Sequence, residues 1–222
     1  MASKFAAVAF DLDGTLYPNR RLYFRLLPFA LANWRLLLAF SKARDAIRAE
    51  QEESPELARP DFYACQAALT AKALGSGALA TAEKIERLMY RGWEPIFRNV
   101  RLFPRVRETI SALRAAGLKT ALLSDFPPEA KLENLGLSGL WDAVLCSERT
   151  GALKPSAVPF LATARALGCP PGEILYVGNS RRYDVAGAQR AGMKAALVSR
   201  RASGTADFFF ADYRKLRDFA LS

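Results

Sequence analysis

Short, unbroken apolar runs recur along this chain, separated by amphipathic helical patterns, and that alternation limits the folds open to it. Residues 4–10, 118–123, 143–146 and 174–177 have the length and uniform hydrophobicity of strands buried on both faces. Residues 106–116, 155–167 and 185–191 place apolar side chains at helical spacing between or after them. Residues 195–198 and 208–210 add two candidate edge strands. Because parallel neighbours need a helical crossover, this order specifies an α/β fold with a doubly wound, mainly parallel sheet. In such a sheet, polar residues at the carboxyl ends of the strands gather along one edge.

From about residue 17 to residue 98 the alternation stops, and the chain reads as helices separated by proline and glycine. We expect residues 19–98 to be an inserted helical module, with 1–18 and 99–222 forming the α/β body. A body of that length is an ordinary domain size.

The chain has 222 residues, with 32 basic and 22 acidic side chains, three cysteines and no histidine. The missing histidine excludes Ser-His and Cys-His catalytic pairs and histidine-based zinc sites. Carboxylate, lysine or serine chemistry and oxygen-ligated metals remain. Cys65, Cys146 and Cys169 form no CxxC pair and are expected to be buried reduced thiols. No uncharged stretch exceeds that of residues 62–71, about half of what a bilayer span requires. Asp11 and Asp13 cut short the apolar start of the chain, so the cytoplasm is the expected location.

Those two aspartates belong to Asp11-Leu-Asp-Gly-Thr-Leu16, directly after the first apolar run. Surface turns also favour Asp and Gly. Two like charges at the end of a buried strand, however, are costly without a cation or a proton to compensate. Gly14 would let the chain fold back so that both carboxylates face one cavity. Three more polar sites end the other runs: Ser124-Asp125, Lys154 before Pro155, and 178–184, which reads Gly-Asn-Ser-Arg-Arg-Tyr-Asp. Singly these read as a helix cap, a solvated charge and a polar turn. Together they lie where an open α/β sheet would collect them.

The four motifs DLDGTL (11–16), LLSD (122–125), LKP (153–155) and VGNSRRYDVAGAQRAGM (177–193), in this order, resemble the haloacid dehalogenase superfamily. The likeness is to its phosphatase-like members, which carry a helical cap inserted after the first motif, and it covers nearly the whole chain. It implies that Asp11 is a nucleophile forming an aspartyl-phosphate and that Asp13 protonates the leaving oxygen and then activates water. It implies Ser124, Asp125 and Lys154 around the phosphoryl group, with Lys154 balancing charge. It also implies Mg²⁺ held by Asp11, the Asp13 carbonyl and the side chain at 179, with Asp184 holding a metal-bound water. Where these phosphatases usually place aspartate, this chain has Asn179, whose neutral amide should weaken metal binding about 10- to 100-fold. Asp13 favours phosphoryl transfer over dehalogenation, since a halide leaves without a proton. A small phosphorylated substrate is therefore expected. The other readings are a phosphomutase and a weakened relative that binds phosphometabolites or anionic surfaces.

Between residues 20 and 48, Arg20, Arg21, Arg25, Arg35, Lys42, Arg44 and Arg48 face a single acid, Asp45, and are interleaved with aromatic and leucine side chains. The expectation is a cap helix pair packed on itself, its basic side chains solvated or turned to an anionic substrate. Arg20 and Arg21 are candidate contacts to a second anionic group. Peripheral contact with an anionic membrane is the alternative, and no nucleic-acid partner is expected.

Overall fold

In the computed structural model, residues 3–92, 97 and 99–222 are described, with 21 and 22 described by backbone alone. Residues 93–96 and 98 of the expected cap, and the side chain of Arg21, lie outside the described residues. The first apolar run forms β1 (Ala7–Phe10), which pairs in parallel with β2 (Lys119–Ser124) on one side and β4 (Ile174–Gly178) on the other. β3 (Ala143–Cys146) continues the sheet beyond β2, while β5 (Lys194–Val198) and then β6 (Phe208–Phe210) continue it beyond β4. Among the described residues the sheet has six parallel strands in the order β3-β2-β1-β4-β5-β6. The run at 195–198 is therefore an interior strand rather than an edge, because β6 covers it.

Strand alternation decides which layer each β1 side chain joins. Val8 and Phe10 enter the layer with α5 (Val106–Ala115) and α9 (Tyr213–Leu221), where Ile110, Leu113 and Leu216 are fully buried. Ala7 and Ala9 face α7 (Ala157–Leu167) and α8 (Ala186–Arg190) on the opposite side. These small side chains leave room for Phe160 of α7, whose ring lies edge-on to Tyr176 at 4.7 Å between centroids. A β-carbon at Gly187 would come within 2.3 Å of the Phe160 ring, so α8 can approach only as glycine there.

Between β1 and α5 lie α1 (Asn19–Ala32), α2 (Trp34–Glu53), α3 (Phe62–Leu74) and α4 (Ala78–Ile85), the last running into a π-helical turn at Glu86–Arg91. Leu36, Phe40, Ala67, Ile85 and Met89 form a separate apolar cluster in this module. The module also touches the body through polar contacts on one loop. Arg59 N–H donates to the Gly151 carbonyl at 2.9 Å, the Leu153 N–H to Gln51 at 3.2 Å, and Arg48 Nε to the Lys154 carbonyl at 3.0 Å. Arg44, expected to be solvated or turned to substrate, is instead buried and pairs with Glu148 and Asp125.

All three cysteines are free, but only Cys146 is buried; Cys65 and Cys169 are half-buried, contrary to expectation. Among the described residues no helix is long and apolar enough to cross a membrane. Phe160→Ala is expected to lower unfolding free energy by about 3–5 kcal/mol, since the pocket between Tyr176 and Gly187 cannot collapse onto an alanine. Urea denaturation checks this, and a loss below about 1 kcal/mol would contradict the packing described.

Candidate active site

The sheet continues one residue past β1: the Asp11 N–H donates to the Val177 carbonyl at 2.9 Å. The chain then turns, with Leu12 accepting from the Thr15 and Leu16 N–H groups at 3.3 and 3.0 Å. Gly14 sits at φ +86°, and a β-carbon there would lie 2.1 Å from Asn179 Nδ2. The turn thus needs glycine both for its backbone and to admit the Asn179 amide. Asp11 is buried, one oxygen accepting from Thr15 Oγ1 at 2.7 Å and the other from Lys154 Nζ at 2.7 Å.

Lys154 arrives on the loop that the helical module grips. Its ammonium donates to Asp11, to Asp184 at 2.9 Å, to the Tyr176 hydroxyl at 3.1 Å and to the Leu123 carbonyl at 3.3 Å. Burial works against this charge, but the Asp11 and Asp184 carboxylates outweigh it and hold the ammonium well above the usual lysine pKa. Burial likewise pushes the Asp11 carboxyl up to about 7, with Lys154 pulling it down and Asp184 adding to the rise. One ammonium between two carboxylates leaves the buried centre negative, so it requires a proton or a further cation.

Asp184 is buried, and its second oxygen accepts the N–H groups of Asn179 and Ser180 at 3.0 and 2.9 Å. These bonds fix the turn after β4 and place the Asn179 side chain against Gly14. Ser124, at the end of β2, is buried; its Oγ accepts from the Phe126 N–H at 3.3 Å, which leaves the hydroxyl proton to donate.

Asp125 does not join this group. Its carboxylate turns to the module, taking Arg48 at 3.1 Å, Arg44 at 3.3 Å and the Lys154 N–H at 3.4 Å. Although burial works the other way, Arg44, Lys154 and Arg48 hold its pKa below the usual carboxylate value. Asp125, read from sequence as a phosphate contact, instead anchors Arg44 and Arg48 of the helical module, because successive residues at a strand end point to opposite sides.

Asp13 has different surroundings. Its carboxylate is partly exposed, accepts from the Tyr17 hydroxyl, and lies 2.7 and 2.9 Å from Lys131 Nζ. Burial raises the Tyr17 phenol far above its usual pKa, so it remains a donor. Lys131 comes from α6 (Glu129–Asn134) and lies over the Phe97 ring, 4.9 Å from its centroid. It also lines a cavity of about 350 Å³ between the module and the body, with Met89, Tyr90, Phe97 and Phe126 among the walls. Lys131 therefore links this cavity to the Asp13 carboxylate. Arg20 is exposed and is not among the residues that line this cavity.

Of the residues read from sequence, the structure joins Asp11, Lys154 and Asp184 in one ion-pair network, sets Asn179 against Gly14 and leaves Ser124 at the end of the neighbouring strand β2; Lys131 and Tyr17, which hold Asp13, were not among them. The available donors for a metal are oxygens: the Asp11 carboxylate, the Asp13 carbonyl and the Asn179 amide. That set suits a hard cation. Among the described residues no three His, Cys, Asp or Glu side chains converge as a metal cage, so an ion here would need backbone and amide oxygens beside the Asp11 carboxylate. Asn19 Oδ1 is a buried acceptor without a hydrogen-bond partner, and the Asn19 amide also crowds Gly14. Both observations fit a polar species at this turn.

A family model described as haloacid dehalogenase-like hydrolase matches residues 5–192. A phosphoglycolate phosphatase of Aquifex aeolicus is 29% identical over 204 residues, covering 86% of this chain and 83% of that protein. A glyceraldehyde 3-phosphate phosphatase of Methanopyrus kandleri is 29% identical over 212 residues, covering 87% and 84%. Among solved structures, a phosphatase of this type from Thermococcus onnurineus shares the fold with TM-score 0.63 and 22% identity, covering 96% and 97% of the two chains. The L-2-haloacid dehalogenase of Xanthobacter autotrophicus does so with TM-score 0.65 and 19% identity over 96% and 97%.

A carboxyl whose folded pKa lies above its ordinary value adds stability that is complete below about pH 4 and is lost as pH rises through the folded value. Lys154→Met removes the ammonium that pulls Asp11 down and leaves two buried carboxyls facing each other. It is expected to cost about 3–5 kcal/mol at pH 8 and distinctly less at pH 5. Urea unfolding at both pH values measures this; equal losses would contradict the charge balance described.

Proposed function

The chain belongs to the haloacid dehalogenase-like hydrolases, and from that membership we propose that it is a Mg²⁺-dependent phosphatase of small phosphorylated molecules. The observation that carries this reading is the contrast between two carboxylates one residue apart. Asp11 is buried and paired with Lys154, whereas Asp13 is partly exposed and held between Tyr17 and Lys131, and Lys131 also lines the cavity beneath the module. One suits attack on phosphorus and the other suits proton transfer to a leaving group. In this reading residues 19–98 are the cap and 1–18 with 99–222 the catalytic body.

Asp11 Oδ attacks phosphorus as the ester P–O bond breaks, and Asp13 supplies the proton to the departing oxygen. Asp13 then takes a proton from water, whose oxygen attacks the aspartyl-phosphate. The Asp11–phosphorus bond breaks, inorganic phosphate leaves and the carboxylate is restored. Ser124 donates to a phosphoryl oxygen, and Lys154 offsets the charge that Asp11 and phosphate bring together. Mg²⁺ would be held by Asp11, the Asp13 carbonyl and the Asn179 amide oxygen, with Asp184 beside one of its waters. When bound, it would supply positive charge opposite the phosphoryl oxygens. Asp13 argues against dehalogenation, because a leaving halide takes no proton.

Hydrolysis of p-nitrophenyl phosphate by folded protein tests this directly. Turnover should require Mg²⁺, stop with a chelator, and fall by about a thousandfold or more in Asp11→Asn. Absence of turnover at high Mg²⁺, across a panel of phosphorylated metabolites as well, would favour a phosphometabolite-binding relative instead. Asn179→Asp should raise apparent Mg²⁺ affinity about 10- to 100-fold in a Mg²⁺ titration; an unchanged or weaker affinity would remove residue 179 from the metal site.

A further inference from the structure

The first two helices of the module carry most of the large apolar side chains that the fold leaves in solvent. Tyr23, Phe24, Leu27 and Leu31 of α1, and Trp34 and Leu38 of α2, are each more than half exposed. Helical spacing puts Arg20, Tyr23, Phe24, Leu27 and Leu31 on one side of α1, within an arc of about 100°. Leu26 points the other way and is buried. Amphipathicity is thus doubled: one face of α1 packs on the protein, and a second apolar stripe faces water. Trp34 and Leu38, four residues apart, are a second exposed apolar pair just past the Asn33 junction.

The charge around the stripe has one sign. Arg20, Arg25, Arg35 and Lys42 are exposed on the same two helices, and no Asp or Glu occurs between Gly14 and Arg44. A two-fold interface between copies of this chain would bring these cations together with no carboxylate from the segment to pair them. An anionic bilayer surface instead satisfies both features, taking the apolar stripe at the headgroup boundary and the cations among the phosphates. Trp34 and Tyr23 have the amphipathic rings favoured at that depth. With no membrane-crossing helix among the described residues, the helices would lie on the surface rather than span it.

We propose that the exposed face of α1 and α2 docks this protein on anionic lipid membranes. Because α1 begins at Asn19, directly after the acidic turn, docking would hold the candidate active site close to the lipid surface.

Co-sedimentation of the full chain with phosphatidylcholine vesicles, with and without phosphatidylserine, tests this at low and high salt. Binding should require phosphatidylserine, weaken at high salt, fall about fivefold in Arg20→Ala, and vanish in Phe24→Ser/Leu27→Ser. Circular dichroism confirms that the double variant folds, and Arg20→Ala, which loses an exposed charge on the same side of α1, provides an independent arm. The proposal is overturned by absence of binding to phosphatidylserine vesicles at low salt, or by equal binding without phosphatidylserine. It is equally overturned if the double variant binds undiminished, or if ultracentrifugation shows a dimer that the double variant breaks.

Discussion

Lys154 stands between Asp11 and Asp184, closed off from water, and much of the molecule is arranged around that contact. A buried ammonium needs acceptors on every side, and here they come from four segments: the turn after β1, the carbonyl at Leu123 in β2, Tyr176 in β4 and the turn that ends at Asp184. Removing the ammonium would leave two carboxylates facing each other in a medium that cannot screen them. The same contact leaves the centre one negative charge in excess, which suits a site that must receive a cation and a phosphoryl group together. Structural need and proposed chemistry therefore rest on one ion pair network.

The loop carrying Lys154 also holds the helical module. Arg48 bonds the Lys154 carbonyl and Asp125, while Arg44 reaches Asp125 and Glu148 and lies over the Phe126 ring at 4.4 Å. Asp125 follows Ser124 directly, so the residue proposed to meet phosphate and the residue gripping the module are chain neighbours. Any movement of the module relative to the body would be felt at the end of β2 and at Lys154.

Much of this was legible in the sequence, for identifiable reasons. Parallel strands covered on both faces are uniformly apolar, so β1, β2 and β4 appear as short runs; β3 reads the same way although it is the sheet's edge, with Val144 exposed rather than covered. The run at 4–10 overstates β1 because Phe5 is buried before pairing begins, and burial rather than pairing is what an apolar residue records. Strand order is not written in local sequence, which is why β5 read as an edge. Lys131 was hidden because it lies 118 residues from Asp13 and sits in an ordinary helical pattern. Arg44 and Arg48 carried a usable signal, since their spacing of four puts both on one side of α2. Their acceptor, Asp125, was obscured by its position inside a motif read as wholly phosphate-facing.

The central claim is that Asp11, seated on Lys154, bonds covalently to phosphorus during turnover. The most direct measurement is to mix the protein with Mg²⁺ and a ³²P-labelled aryl phosphate, quench in acid within the first turnover, and map the label by peptide digestion. Label on the peptide containing residues 11–13, absent when Asp11 is asparagine but present when Asp13 is, is the expected result. Turnover with no labelled peptide, or with label on a segment elsewhere in the chain, would contradict it.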